Sequence, residues 1–326
     1  MLKYAIHTYL SQNPEKFNGA VLVSQEGRLV YKEAFGIANR EWNIPNTCAT
    51  RFRIGSVTKS ITALAMLMLA GNKRINLSDP VGKFLPAFST ARGATLTHLL
   101  NHTSGIGNLT MQPDFAVRSL QPHSVDELLE WIESLPPESE PGEKFSYSNS
   151  GYLILGKIIE TVSGLPYEDF LDHRIFQPAG MQNTILDSRT ILLHKASGYE
   201  MTPAGELQNA SYMDMSNAYS AGGLVSTAED LHLLDSALDE GVLFPSGMTA
   251  QIFAFDERQP YRYGWHLART ARNQALAFHH GGINGYTASY MKLLDKKAAV
   301  IVLSNVSTLL TSTLAGVIAE ALDSGN

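Results

Sequence analysis

The stretch "RFRIGSVTKSITALAMLMLAG", residues 51–71, sets Ser56 and Lys59 three positions apart at the mouth of a long apolar run. The run predicts a buried helix. On a helix, positions i and i+3 share a face, so Lys59 can reach the Ser56 hydroxyl. The helix start adds unpaired N–H groups and a positive dipole end, which disfavour a charged lysine and favour an oxyanion. Burial acts in the same direction on the lysine. A neutral lysine can serve as general base for a serine nucleophile. The competing reading is a serine cap beside a solvated lysine, and the pair alone leaves both open. A second Ser-x-x-Lys, Ser289 to Lys292, falls in the alternating segment "YTASYMKLL". On a strand those two side chains point to opposite faces and do not cooperate.

Composition narrows the class. A chain of 326 residues with 44% hydrophobic and 17% charged residues reads as globular, and as two domains or one large compound unit. The net charge of −6 and the lack of a basic cluster argue against a nucleic-acid partner. The single cysteine, Cys48, excludes an internal disulfide and a cysteine-based zinc site, and reads as a small buried hydrophobe. The segment Ile61–Ala70 is too short to span a bilayer. The N-terminal "MLKYAIHTYLSQNPEK" resembles an amphipathic surface helix more than a signal peptide. The expectation is a cytoplasmic protein without a membrane span, or a periplasmic or secreted one should an export signal have been trimmed.

Outward from the serine helix, strands occupy both ends. "GAVLVSQEGRLVYKEAFGIAN" predicts a β-hairpin turning at Gln25-Glu26-Gly27. The segments "RYGWHLA", "QALAFHHGG", "YTASYMKLL" and "KAAVIVLSNV" predict strands, and "STLLTSTLAGVIAEALD" a closing helix. The middle is helical, with a cap at Ser124, a stop at Gly164 before Pro166, and a cap at Ser226 or Thr227. The expected fold is α+β: an antiparallel sheet flanked by N- and C-terminal helices, residues 1–57 and 245–326, with an inserted helical domain at 58–244. The site would lie in the cleft between them.

Two further motifs carry chemistry. "GEKFSYSNSGYL" places Tyr147 and Asn149 in a serine-rich loop before a helix, where a phenol could relay protons and an amide hold a carbonyl. "FHHGGINGY" runs an apolar strand into His279, His280, Gly281 and Gly282. Glycines at a strand end allow close approach, and their N–H groups could form half of an oxyanion hole. A polar turn and a β-bulge beside surface histidines are the plainer readings.

Together these motifs resemble the penicillin-recognising serine hydrolases, in the branch related to class C β-lactamases that includes DD-peptidases and family VIII esterases. "LTHLLNHTSGI", "PGEKFSYSNSGYLILGKIIETVSGLPYEDFLDHRIFQPAGM" and "SAGGLVSTAEDLHLL" extend the resemblance over nearly the whole chain. It implies a β-lactamase/transpeptidase-like fold and catalysis without cofactor or metal. Ser56 would be acylated, Lys59 would be its base and Tyr147 the second proton carrier. Asn149 would hold the substrate carbonyl, and the N–H groups of Ser56 and Ile283 would form the oxyanion hole. His280, Gly281 and Gly282 would replace the family's Lys-Thr-Gly, which grips a substrate carboxylate. A histidine there would grip it only at low pH, so β-lactams rank behind small esters and peptide or D-amino-acid amides as expected substrates. The alternative is a ligand sensor or scaffold that is acylated and does not turn over. "GYLILGK" mimics a phosphate loop, but Ile158 stands where Ser or Thr should hold magnesium. His98 and His102 could share a helix face as metal ligands, but no third ligand accompanies them. No Gly-x-Ser-x-Gly elbow is present.

Overall fold

A computed structural model of the chain describes residues 2–12, 17–88, 93–244 and 246–324. Helix α1 (Leu2–Ser11) precedes a hairpin of β1 (Gly19–Gln25) and β2 (Arg28–Phe35). Glu26 and Gly27 both adopt positive φ in its turn, the geometry that matches strand twist. The main helices between the sheet segments are α2 (Thr58–Gly71), α3 (Asn149–Ser163) and α4 (Ala228–Asp239). Then come β3 (Tyr261–Arg262), β4 (Trp265–Arg269), β5 (Ala275–Ile283), β6 (Tyr286–Leu293), β7 (Ala298–Ser304) and α5 (Leu310–Ser324).

The strands join as one antiparallel sheet of seven, ordered β3-β4-β5-β6-β7-β1-β2. The first strand enters beside the last because β1 pairs with β7, Gly19 opposite Ser304. Alternation then sorts the two faces. Val21, Val23, Val300 and Val302 pack on Ile6 and Leu10 of α1 and on Leu314 and Ile318 of α5. Ala20, Leu22, Tyr290 and Ile301 join the larger core with α2 and α4. Helix α2 is buried all round from Thr58 to Leu69, as a helix apolar on every side must be. The expected caps are present: Ser124 and Glu127 form a reciprocal capping box, Thr227 caps α4, and Gly164 ends α3 at φ 77°. Among the described residues no helix is long and apolar enough to cross a membrane.

Helix α4 departs from the expected partition. It falls within 58–244, yet it lies on the sheet, with Leu231, Leu234 and Leu238 in the core beside β1 and β7. A buried ion cluster fixes it there. Lys292 of β6 pairs with Asp235 and, at 3.1 Å, with Asp239, while the Tyr290 hydroxyl donates to Asp235 at 2.7 Å. Burial pulls the Lys292 amine down, but Asp235 and Asp239 outweigh it and hold its pKa raised. Ser289 points to the other face, so the second Ser-x-x-Lys is split as the alternation requires. Removing one partner strands a buried charge. Asp235→Ala should therefore destabilise the fold by about 3–5 kcal/mol in urea unfolding. Glu229→Ala, which breaks the more exposed Lys32 pair, should stay within about 1 kcal/mol.

Candidate active site

Ser56 sits in a tight turn, Gly55–Val57, that leads into α2. The turn is delivered by a short strand, Phe52–Arg53, paired with Leu224–Ser226, and by the bond from Ile54 N–H to the Leu224 carbonyl at 3.0 Å. Gly55 adopts φ 49°, and a Cβ there would lie 2.9 Å from both N and O of Gly282. A Cβ on Gly281 would lie 2.0 Å from the Ile54 carbonyl oxygen and 3.0 Å from Ser56 N. The Ser56 turn and the end of β5 are thus in backbone contact, which only glycine permits at these two positions.

Lys59 is fully buried. Its Nζ lies 3.0 Å from Ser56 Oγ, 2.7 Å from Asn149 Oδ1 and 2.7 Å from the Ala221 carbonyl oxygen. Burial holds the amine well below its ordinary pKa. Asn149 opens α3, and its Nδ2 donates to Thr110 Oγ1 at 2.8 Å, which fixes the amide's orientation. Tyr147 lies two residues earlier, with its ring centroid 5.0 Å from Lys59 Nζ. Its hydroxyl is buried, and among the described residues no partner meets it at full hydrogen-bonding distance and angle. Burial raises its pKa, and the nearby Ser56 hydroxyl tempers the rise. Ser56, Lys59, Tyr147 and Asn149 are therefore gathered at one point from two separate parts of the chain.

The end of β5 differs from the expectation by one residue. Gly281 faces the Ser56 turn, so His279, two residues before it, shares that face. His280 points the other way. Its Nδ1 lies 3.0 Å from Ser289 Oγ and its ring 5.0 Å from Phe278, on the side of the sheet that meets the terminal helices. Burial also lowers its pKa. His280 therefore does not stand in the cleft as the carboxylate-gripping residue. His279 does face the cleft, but its Nδ1–H donates to the His280 carbonyl at 2.6 Å and its Nε2 accepts from the Tyr261 hydroxyl at 3.1 Å. Burial first, then Lys59, hold it well below the histidine range, so it is a neutral, fully bonded ring.

The N–H expected from Ile283 is also committed elsewhere. A two-residue turn, Asn284-Gly285, closes the β5–β6 hairpin, so Ile283 and Tyr286 form its hydrogen-bonded pair. Ladder alternation then turns the N–H and C=O of Gly282 to the other edge. That edge is open, because β4 pairs with β5 only as far as Phe278. The free donors flanking the serine are the N–H groups of Ser56 and Gly282. The Ile283 side chain packs with Met213, Met215 and Ala218.

Sequence reasoning missed four contributors: the Ala221 carbonyl, Thr110, His279 and His102. Counting back from the Asn-Gly turn would have chosen His279 over His280. The other three carry no local signal, since they act through backbone or over long separations. His98 and His102 are not a metal pair. His98 Nδ1 accepts from Thr95 N–H in a helix-capping arrangement, and His102 turns into the protein behind Tyr147.

Comparison with known proteins agrees with this geometry. A family model described as Beta-lactamase matches residues 9–322. Penicillin-binding protein 4* of Bacillus subtilis is 31% identical over 311 residues, covering 89% of this chain and 68% of its own length. Teichoic acid D-alanine hydrolase of Staphylococcus aureus is 29% identical, covering 88% of this chain and 70% of its own. The octameric penicillin-binding protein homologue from Pyrococcus abyssi superposes with a TM-score of 0.85 at 28% identity, covering 98% of this chain and 76% of that one. With a serine, a buried lysine and a tyrosine converging in that fold, the chain belongs to the β-lactamase family and is a serine hydrolase.

Proposed function

We propose that this enzyme hydrolyses small, uncharged esters through an acyl-enzyme on Ser56. The observation that carries the reading is the buried Lys59 amine, 3.0 Å from Ser56 Oγ. Two carbonyl-type oxygens at 2.7 Å take two of its N–H bonds. In a neutral amine that leaves the lone pair for the serine proton. Lys59 takes that proton as Ser56 Oγ attacks the ester carbon. The developing oxyanion is held by the N–H groups of Ser56 and Gly282. The second Nδ2–H of Asn149 is available to the acyl portion. As the C–O bond breaks, the Tyr147 phenol gives its proton to the leaving alkoxide, and the Lys59 ammonium restores it. Water then attacks the acyl-enzyme, its proton passing to Lys59 and on to Ser56 Oγ as the acid departs.

No cation among the cleft residues named above faces a substrate carboxylate: His279 is neutral and His280 is turned away. This favours esters without a carboxylate and makes β-lactams poor substrates. D-Amino-acid esters and amides are the second class, in keeping with the D-alanine hydrolase among the relatives. Sustained turnover of a chromogenic ester separates this reading from an acylated sensor, which would release a single stoichiometric burst.

Ser56→Ala should abolish covalent labelling and cut turnover by several orders of magnitude; near-normal labelling of the variant in mass spectrometry would sink the mechanism. Lys59→Arg should fail as well, because arginine does not give up its proton near neutral pH. With the Lys59 pKa depressed, the neutral amine persists below the usual lysine range. kcat/KM for a neutral ester should thus be full above the lowered value and fall as pH drops through it. The raised Tyr147 keeps its proton over the same range, so the acid limb reports the amine.

Gly281→Ala should abolish activity, since its Cβ would lie 2.0 Å from the Ile54 oxygen, whereas Gly282→Ala, whose Cβ meets nothing within 4 Å, should stay active. His280→Lys should leave β-lactam acylation and the preference between charged and neutral esters unchanged. A rise in β-lactam acylation would return His280 to the cleft.

A further inference from the structure

His102 breaks two local rules at once. It sits just past the short helix Leu96–Leu100 at φ 58°, a left-handed conformation that glycine or asparagine fills far more readily. The residue is 2% exposed, and among the described residues its Nε2 has no partner. The left-handed turn itself closes the helix, with the Thr103 N–H on the His98 carbonyl at 2.8 Å and the His102 N–H on the Leu99 carbonyl at 3.3 Å, but that closure asks neither for a histidine nor for a buried nitrogen without a partner. Such a breach of local preference points to a role elsewhere.

That role is visible in what the residue holds. Its carbonyl oxygen accepts the Ser146 N–H at 2.8 Å, and its Nδ1 accepts the Ser148 N–H at 3.1 Å. These are the residues on either side of Tyr147. The ring itself lies against the Tyr147 phenol at 4.3 Å between centroids, backed by Tyr261 at 4.5 Å and Tyr152 at 5.1 Å. Accepting at Nδ1 puts the ring proton on Nε2. Burial, with Lys59 adding to it, keeps the ring neutral, so Nδ1 stays an acceptor.

We propose that His102 is a positioning residue that clamps the backbone on both sides of Tyr147 and sets the phenol for proton delivery to the leaving group. This rests on the role given to Tyr147 above. Loss of a merely structural histidine would lower the rates on all esters alike, whereas loss of the clamp should hurt in proportion to how much the leaving group needs a proton.

The test compares two esters of the same acid in the full-length protein. A 4-nitrophenyl ester expels its leaving group without a proton, and an ethyl ester needs one. Tyr147→Phe should lower kcat/KM for the ethyl ester at least tenfold more than for the nitrophenyl ester. His102→Phe and His102→Gln, which lack an acceptor at the Nδ1 position, should reproduce that selective loss. His102→Asn places an amide oxygen near the Nδ1 position and tolerates left-handed φ, so it should restore most of the parental ratio.

Equal losses on both esters in the His102 variants, with Tyr147→Phe still selective, would overturn the clamp and leave the catalytic reading standing. A selective loss in His102→Asn as large as in His102→Phe would overturn it too. An unselective Tyr147→Phe would instead overturn the role of Tyr147 itself. A variant that folds less well lowers both rates together and leaves their ratio untouched, so instability does not imitate the expected result.

Discussion

An amine with no access to water decides how this molecule is built. Lys59 is enclosed by α2, the start of α3 and the turn that carries Ala221. An ammonium there would lose its hydration, and the protein returns neutral oxygens, with no carboxylate among them. The balance lowers the pKa. Lys292 is the instructive contrast. It is almost as buried, yet two aspartates surround it, and its pKa is raised. One chain thus holds two buried lysines whose pKa values move in opposite directions, and the difference lies in the charge of the acceptors.

The same economy governs the neighbouring rings. His102 and His279 are both neutral, and each has its tautomer fixed by a backbone group, an N–H in one case and a carbonyl in the other. Neither adds a positive charge beside Lys59. The electrostatics of the cleft therefore come from backbone donors and the lysine itself. Backbone donors can be so placed only because Gly55 and Gly281 let two chain segments touch.

Much of this was legible in the sequence. The apolar period of residues 58–70, the strand segments at both ends and the caps at Ser124 and Thr227 define the α+β layout without any coordinates. The Ser56–Lys59 pairing followed from helix geometry alone. What was not legible depended on register and on distant partners. A one-residue slip moves every side chain of a strand to the other face, and "HHGG" offers no apolar alternation to fix the phase, so His280 was read for His279 and Ile283 for Gly282. Helix α4 lies on the sheet although it falls within 58–244, because an amphipathic pattern says that a helix packs and not against what; Asp235, its tie to the sheet, lies 57 positions before Lys292. The Ala221 carbonyl and Thr110 reach the lysine pocket through folding alone.

The mechanism proposed above requires Lys59 to be an uncharged amine at working pH. The pH titration of its side chain by NMR, with carbon-13 at the ε position and assignment by Lys59→Met, reads this state itself. One lysine resonance should titrate well below the others, with its midpoint matching the acid limb of ester hydrolysis. A Lys59 resonance that stays in its ammonium position through neutral pH, while the enzyme is fully active, would contradict that mechanism.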